Sequence, residues 1–325
     1  MGARARGALA AASVLMIAGA AWATRTSAEG QGPSPFALVL GTAQDGGLPQ
    51  IGGTAEADRE ARRDPTGRRL VASLLLADPG SDERFLIDAT PDLREQVELA
   101  DRAAPRPERA GGRPALFDAI ALTHAHVGHY AGLMQLGREA YGAEGQRVLA
   151  SPRMAHFLET NGPWDLLVKL KHIRIDPFAA GAAIRLNARL SITPVPVPHR
   201  DEYSDTFGFI VSGPRHSLLW LPDIDKWERW DRRVEDLIAS VDIAYVDGTF
   251  FDPTELPGRS MSEVPHPFIA ESLLRFGASP EAERRKIVFI HLNHTNPALT
   301  KGTGALEAIL KAGMRLAREG ERQPL

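Results

Sequence analysis

Thr123-His124-Ala125-His126-Val127-Gly128-His129-Tyr130-Ala131-Gly132-Leu133 holds three of the ten histidines of this 325-residue chain. The run before it, Phe117 to Leu122 (FDAIAL), is apolar enough for a buried strand, and a helix is expected from about Tyr130 to Glu139. A strand that ends in a loop of imidazoles is a place to bind a metal. Neutral imidazole is a common ligand; His124 and His126, two apart on an extended loop, can turn to one ion while His129 rides the start of the helix.

Working outward, other strands end in similar residues. Pro35 to Gly41 reads as a first strand and leads into a tight Gly/Pro loop that carries Asp45. Leu70 to Leu76 and Phe85 to Ile87 read as a hairpin closed by Asp88, and a helix is expected after Thr90-Pro91-Asp92. The Pro-rich stretch Leu190 to Val197 suits an edge strand and precedes His199. Phe207 to Val211 and Ser217 to Leu221 form a second hairpin ahead of Asp223, Val241 to Val246 leads to Asp247, and Lys286 to Ile290 leads to His291 and His294. Further helices are expected over Pro152 to Thr160, Trp227 to Ala239, Pro267 to Phe276 and Gly304 to Arg318, with Thr54 to Arg69 a charged surface excursion. Hairpins with helices between them, in two halves of similar content, favour two sheets packed face to face with helices outside, an α/β sandwich of αββα layers rather than a doubly wound parallel sheet.

The amino terminus is a separate object. Arg4 and Arg6 precede an apolar, alanine-rich stretch from Ala8 to Ala21, with small residues before possible cleavage points after Ala23 and Ala28. This is the pattern of a secretory signal peptide over residues 1–28, followed by a linker over 29–34 and one domain over 35–325. A membrane anchor is the alternative, but the stretch is shorter than the roughly 20 residues that span a bilayer. An exported, periplasmic or extracellular address is therefore expected, with no stable membrane span after cleavage. The chain has no cysteine, which excludes disulfides, thiolate ligands and a thiol nucleophile. Its formal charge of −3 argues against a nucleic-acid partner and leaves a small-molecule substrate as the expected one.

Thr123 to His129 resembles the His-x-His-x-Asp-His signature of the metallo-β-lactamase fold superfamily, with the later single His, Asp and His in the expected order. More narrowly, LGTAQDGGLPQ, LIDATPDLREQ, YVDGTFF and HLNHTNP are similar to motifs of the B protein of pyrroloquinoline quinone (PQQ) biosynthesis and its relatives. The resemblance implies that His124, His126 and His199 hold one metal, that Asp223 bridges, and that His129 and His291 hold a second. Asp88 would orient a ligand imidazole by accepting its other N–H, and Asp45 and Asp247 are further second-layer or substrate-contacting candidates. His294 is the alternative for the second metal or for acid/base work. Zinc suits nitrogen ligands best, with iron or manganese as alternatives. The implied chemistry is hydrolysis of an anionic ester, phosphoester or lactone by a water that the ions acidify, with Asp223 helping to orient it. A role in PQQ formation and a non-catalytic metal- or ligand-binding role are the competing readings. Two departures stand out: Gly128 replaces the signature's Asp, and the His-x-His pair that the PQQ-biosynthesis proteins tend to lack is intact here.

Overall fold

Period-two alternation in the strands divides their side chains among three apolar layers, and that division sets the architecture. The protein is described by a computed structural model over residues 1–2, 33–106, 116–256, 258, 260 and 263–325. Nearly all of the expected signal peptide and linker, and part of the loops at 103–113 and 252–265, lie outside the described residues. Chain contacts separate Met1–Gln31 from Gly32–Leu325, and the elements that follow belong to the second unit.

In chain order these are β1 (Phe36–Gly41), α1 (Glu56–Arg63), β2 (Ser73–Asp78), β3 (Glu83–Ile87), α2 (Leu93–Ala103), β4 (Ala119–Ala121), α3 (Val127–Tyr130), β5 (Gln146–Ala150), α4 (Pro152–Thr160), α5 (Trp164–Lys169), β6 (Ile173–Pro177) and β7 (Ile184–Arg185). The second half carries β8 (Ser191–Val197), β9 (Thr206–Ser212), β10 (Ser217–Leu221), α6 (Val234–Ala239), β11 (Ile243–Asp247), α7 (Ile269–Gly277), α8 (Glu281–Arg284), β12 (Ile287–Ile290), α9 (Ala305–Lys311), β13 (Arg315–Leu316) and β14 (Arg322–Pro324). One sheet has the order β14-β1-β2-β3-β4-β5-β6 and the other β13-β12-β11-β10-β9-β8-β7. In the first sheet Leu38, Leu75, Leu86, Ile120 and Val148 face α2 and α4, while Val39, Leu74, Ile87, Ala121 and Leu149 face the other sheet. In the second sheet Leu218 and Trp220 point inward, and Leu219 and Leu221 pack outward with residues of α6, α7 and α9. The result is the expected αββα sandwich.

Strand direction decides where the polar residues gather. β3 runs parallel to β4, and β1 shares their direction through two antiparallel steps across β2. In the other sheet β10, β11 and β12 are parallel, and β8 shares their direction across β9. The carboxyl ends of these strands therefore deliver Asp45, Asp88, His124, His199, Asp223, Asp247 and His291 to the strand-end edges. Backbone bonds tie the two edges together: Phe207 N–H donates to Thr123 O (3.1 Å), Gln44 N–H to Leu292 O (2.9 Å) and Leu292 N–H to Thr42 O (2.9 Å).

Several local expectations are corrected. Parallel pairing is as frequent as antiparallel in these sheets, because three consecutive pairs in each are parallel crossovers rather than hairpins. The charged excursion at 54–69 lies mostly at the surface, but α1 forms within it and buries Ala57, Asp58 and Ala61. Trp227 to Ala239 is broken into a 3₁₀ turn at Trp227–Arg229 and α6, because Trp230 is extended and its indole N–H reaches Pro196 O (3.1 Å). The helix after the histidines is one turn (α3) and a 3₁₀ segment, Ala131–Leu136. The terminal helix stops at Lys311, and the chain then returns as β13 and β14 at the two sheet edges. The Pro-rich β8 is edge-like only from Thr193 onward, since β7 covers just Ser191 and Ile192.

Gly132 closes the loop against the first sheet, its N–H donating to Ala89 O at 2.9 Å. A Cβ there would lie 2.1 Å from Thr90 O and 2.9 Å from Ala89 O. Gly132→Ala is therefore expected to cost about 1–3 kcal/mol through displaced backbone, measured as a lower denaturation midpoint; a change within ~0.5 kcal/mol would contradict this packing.

Candidate metal centre

Asp88 and His291, the first residues after β3 and β12, both have left-handed backbones (φ 67° and 65°), which side-chain-bearing residues seldom adopt. Such conformations cost about 1–3 kcal/mol and are held by their surroundings. At Asp88 the carboxylate accepts from Thr123 N–H (2.8 Å) and Thr123 Oγ1 (2.9 Å), and from His129 Nδ1 at 2.8 Å. At His291 the Nδ1 pairs with Thr249 Oγ1 at 3.0 Å. In both cases the other ring nitrogen, Nε2, is turned inward.

Asp223 is where these rings converge. Its Oδ2 lies 2.9 Å from His129 Nε2, 3.2 Å from His291 Nε2 and 3.7 Å from His124 Nε2, and its Oδ1 lies 3.7 Å from His199 Nε2. His124 Nε2 is 2.8 Å from His126 Nδ1, and the His126 and His199 ring centroids are 5.0 Å apart. Three groups of donor atoms result, His124/His126/His199, Asp45/His129/His291 and His124/His129/Asp223, with Asp223 between the first two. Four-coordinate zinc with ligands at ~2.0–2.1 Å sets its ligand atoms about 3.3 Å apart. The spacings around Asp223 straddle that value.

The chemistry of the donors fits a divalent cation. Among the described residues, Asp45 Oδ1, His129 Nε2, both His199 ring nitrogens, Asp223 Oδ2 and His291 Nε2 are buried side-chain atoms without a hydrogen bond. His129 Nε2 and Asp223 Oδ2 are close, but not aligned as donor and acceptor. Orphaned buried polar atoms are costly, so their concentration at one point calls for a ligand. Burial drives His124 well below the ordinary histidine range, His291 below it, and His199 down to about 3, which favours the neutral rings that can ligate a cation. Burial would raise the Asp223 carboxyl, but His291, His129 and His199 hold it well below the usual carboxylate range. Burial likewise opposes charge on His129, and Asp88 and Asp223 outweigh it and raise that ring well above its ordinary value. The positive charge drawn onto His129 is a role that a metal ion can fill.

A family model described as the β-lactamase superfamily domain matches residues 83–316. This chain belongs to that superfamily. The coenzyme PQQ synthesis protein B of Xanthomonas campestris pv. campestris (strain B100) is 26% identical over 309 residues, which cover 87% of this chain and 97% of that protein. The Zn²⁺-bound PqqB of Methylobacterium extorquens aligns at a TM-score of 0.75 and 20% identity, covering 89% of this chain and 100% of that one. A diphosphatase from the PhnP family aligns at 0.63 and 23% identity, covering 90% and 98%. These structural likenesses establish the metallo-β-lactamase form of the fold.

Within this β-lactamase superfamily domain, His124, His126, His129, His199, Asp223 and His291 come together, with Asp45 and Asp88 beside them. Asp247 stands one layer back and accepts from His266 Nδ1 (2.8 Å), Thr249 N–H (2.9 Å) and Ile224 N–H (3.1 Å). His294 belongs to none of the four donor groups among the described residues, and its Nδ1 is bound to the buried Asp58 at 2.7 Å. His266 is the residue that sequence reasoning missed. It lies 3.5 Å from Asp223 Oδ1, joins a fourth donor group with His199 and Asp223, and packs edge-on to His199 at 5.2 Å between centroids. Its one sequence signal was a histidine between two prolines, Pro265 and Pro267, in a loop of underivable shape. Burial opposes its charge, but Asp247 outweighs burial and raises it above the ordinary value.

Asp88→Asn keeps the side-chain size and removes the charge that orients His129. It is expected to weaken divalent-metal affinity about 10–100-fold, measured by competition with a chromogenic chelator; unchanged affinity would separate Asp88 from the metal.

Proposed function

We propose that this chain is an exported metal-dependent hydrolase of anionic esters, with phosphoesters first and lactone-type acyl substrates second. The observation that carries the reading is the convergence of orphaned buried donors, three of them on neutral imidazoles, around the Asp223 carboxylate. Divalent ions held there, zinc before iron or manganese, would acidify a water and polarise the substrate's reacting oxygen. His124, His126 and His199 would form one wall and His129 with His291 the other, Asp223 linking them. With so few carboxylates the loaded site carries net positive charge, which favours an anionic substrate. The name of one structural neighbour, a diphosphatase, supports the phosphoester preference. Export rests on the residue pattern of positions 1–28.

His266 supplies the chain's own proton chemistry in this reading. Asp247 accepts its Nδ1–H and favours its charged form, which suits it to give a proton to a leaving oxygen. His266→Ala is expected to lower kcat about 10²–10⁴-fold on alkyl esters, and far less on p-nitrophenyl esters, whose leaving group needs no proton. An equal loss on both would remove that role.

The reading is tested by loading the purified chain with zinc, manganese or iron and assaying phosphodiesters, diphosphates, lactones and β-lactams. Metal-dependent turnover that His199→Ala lowers at least ~10³-fold supports it, and metal binding with no hydrolysis of any class overturns it. The second reading, a role in PQQ formation, is favoured by the full-length likeness to coenzyme PQQ synthesis protein B. Iron-dependent change of a quinone precursor, with no hydrolysis, would select it.

A further inference from the structure

We infer that Asp45 supplies the carboxylate missing from position 128, forming a second cation site with His129, His291 and Asp223, and that Gly128 is bare to admit it. The inference rests on the metal-dependent reading above. In the His-x-His-x-Asp-His pattern that Thr123–His129 resembles, the carboxylate stands immediately before the last histidine, on the same loop. In this chain it arrives from the opposite side, on the loop between β1 and α1. A Cβ at Gly128 would lie 2.0 Å from Asp45 Oδ1, 2.8 Å from its Cγ and 2.7 Å from its Cα. The carboxyl group of Asp45 thus fills the space in which a side chain at 128 would begin.

The aim of Asp45 is as specific as its position. Oδ1 lies 3.6 Å from His129 Nε2 and 4.0 Å from His291 Nε2, and all three atoms are buried without a hydrogen bond. A loop carboxylate with no role would turn to water, and 29% of this side chain is exposed, so a route to solvent exists. The loop is fixed by contacts unrelated to Asp45 itself. Ala43 bridges both Val71 and Leu292, Gly47 N–H donates to Gln44 O at 2.8 Å, and Asn293 donates to the Gln44 side chain. These bonds dock the Asp45 loop directly on the loop that carries His291. The same three donors, one from each of three separate loops, form one of the groups able to hold an ion. Exchange of the carboxylate between positions 128 and 45 keeps a charged oxygen at the second site while moving its source.

The exchange is tested by zinc stoichiometry and affinity, read by equilibrium dialysis with elemental analysis and by calorimetry, with no reliance on turnover. The wild-type chain is expected to bind two ions. Asp45→Asn, nearly isosteric, should leave the first ion in place and weaken the second at least about 10-fold. Gly128→Asp should lose the second ion as well, because two carboxyl groups then claim one space. The double variant Asp45→Gly/Gly128→Asp should recover it, and if that variant does not fold, Asp45→Asn alone decides. Two ions of unchanged affinity in Asp45→Asn, or a wild-type chain that binds a single ion, overturn the inference. Two ions in the wild-type chain without hydrolysis would overturn the hydrolase reading and leave Asp45 in place.

Discussion

Asp223 is a carboxylate buried among five imidazoles that approach it without making proper hydrogen bonds. Burying a charge among unpaired donors costs several kcal/mol unless something compensates. A proton drawn onto His129 supplies part of that compensation, and a divalent ion at the same point would supply more. Much of the surrounding structure serves to hold this uncomfortable arrangement: Asp88 and Thr123 fix His129, Thr249 fixes His291, and Asp247 fixes His266. Two residues with left-handed backbones, Asp88 after β3 and His291 after β12, lie at strand ends in the two sheets, and each sets a ring that faces inward. The strain lies beside the donor cluster, as expected when a rigid scaffold over-determines a site.

The sandwich makes this possible through direction rather than through any one contact. Each sheet sends several strands the same way, so residues far apart in sequence arrive at one edge. The three apolar layers then lock the registers of both sheets, since a one-residue slip would turn Leu74 or Trp220 from the inner layer to the outer one. Ligand precision at the edge is inherited from packing in the middle. Backbone bonds from Thr42, Gln44 and Thr123 across to Leu292 and Phe207 join the two halves beside the cluster.

The fold was legible because its signals are local: apolar strands of three to seven residues, several of them followed closely by a His or Asp, recur through the chain. The convergence of His124, His126, His129, His199, Asp223 and His291 followed from that rule and from the family pattern. Other features depend on contacts that no local pattern reports. α1 is short, charged and poor in apolar residues, yet Asp58 within it turns inward to hold His294, 236 positions away. His266 enters the site from a proline-flanked loop. β13 and β14 are two and three residues long; β13 was absorbed into the expected terminal helix and β14 fell beyond it unassigned, because edge strands that short carry too few side chains to show a period. The steric relation between Gly128 and Asp45 is of the same kind, visible only once two loops are docked.

The central claim is that one cluster of orphaned donors exists to hold metal. Zinc-edge anomalous diffraction from crystals of the zinc-loaded chain tests it most directly. One peak is expected within the His124/His126/His199 group and one within the Asp45/His129/His291 group, with Asp223 oxygens at about 2.0–2.2 Å from zinc. Zinc found elsewhere, with Asp223 hydrogen-bonded to a protonated His129 and water filling the remaining space, would contradict it.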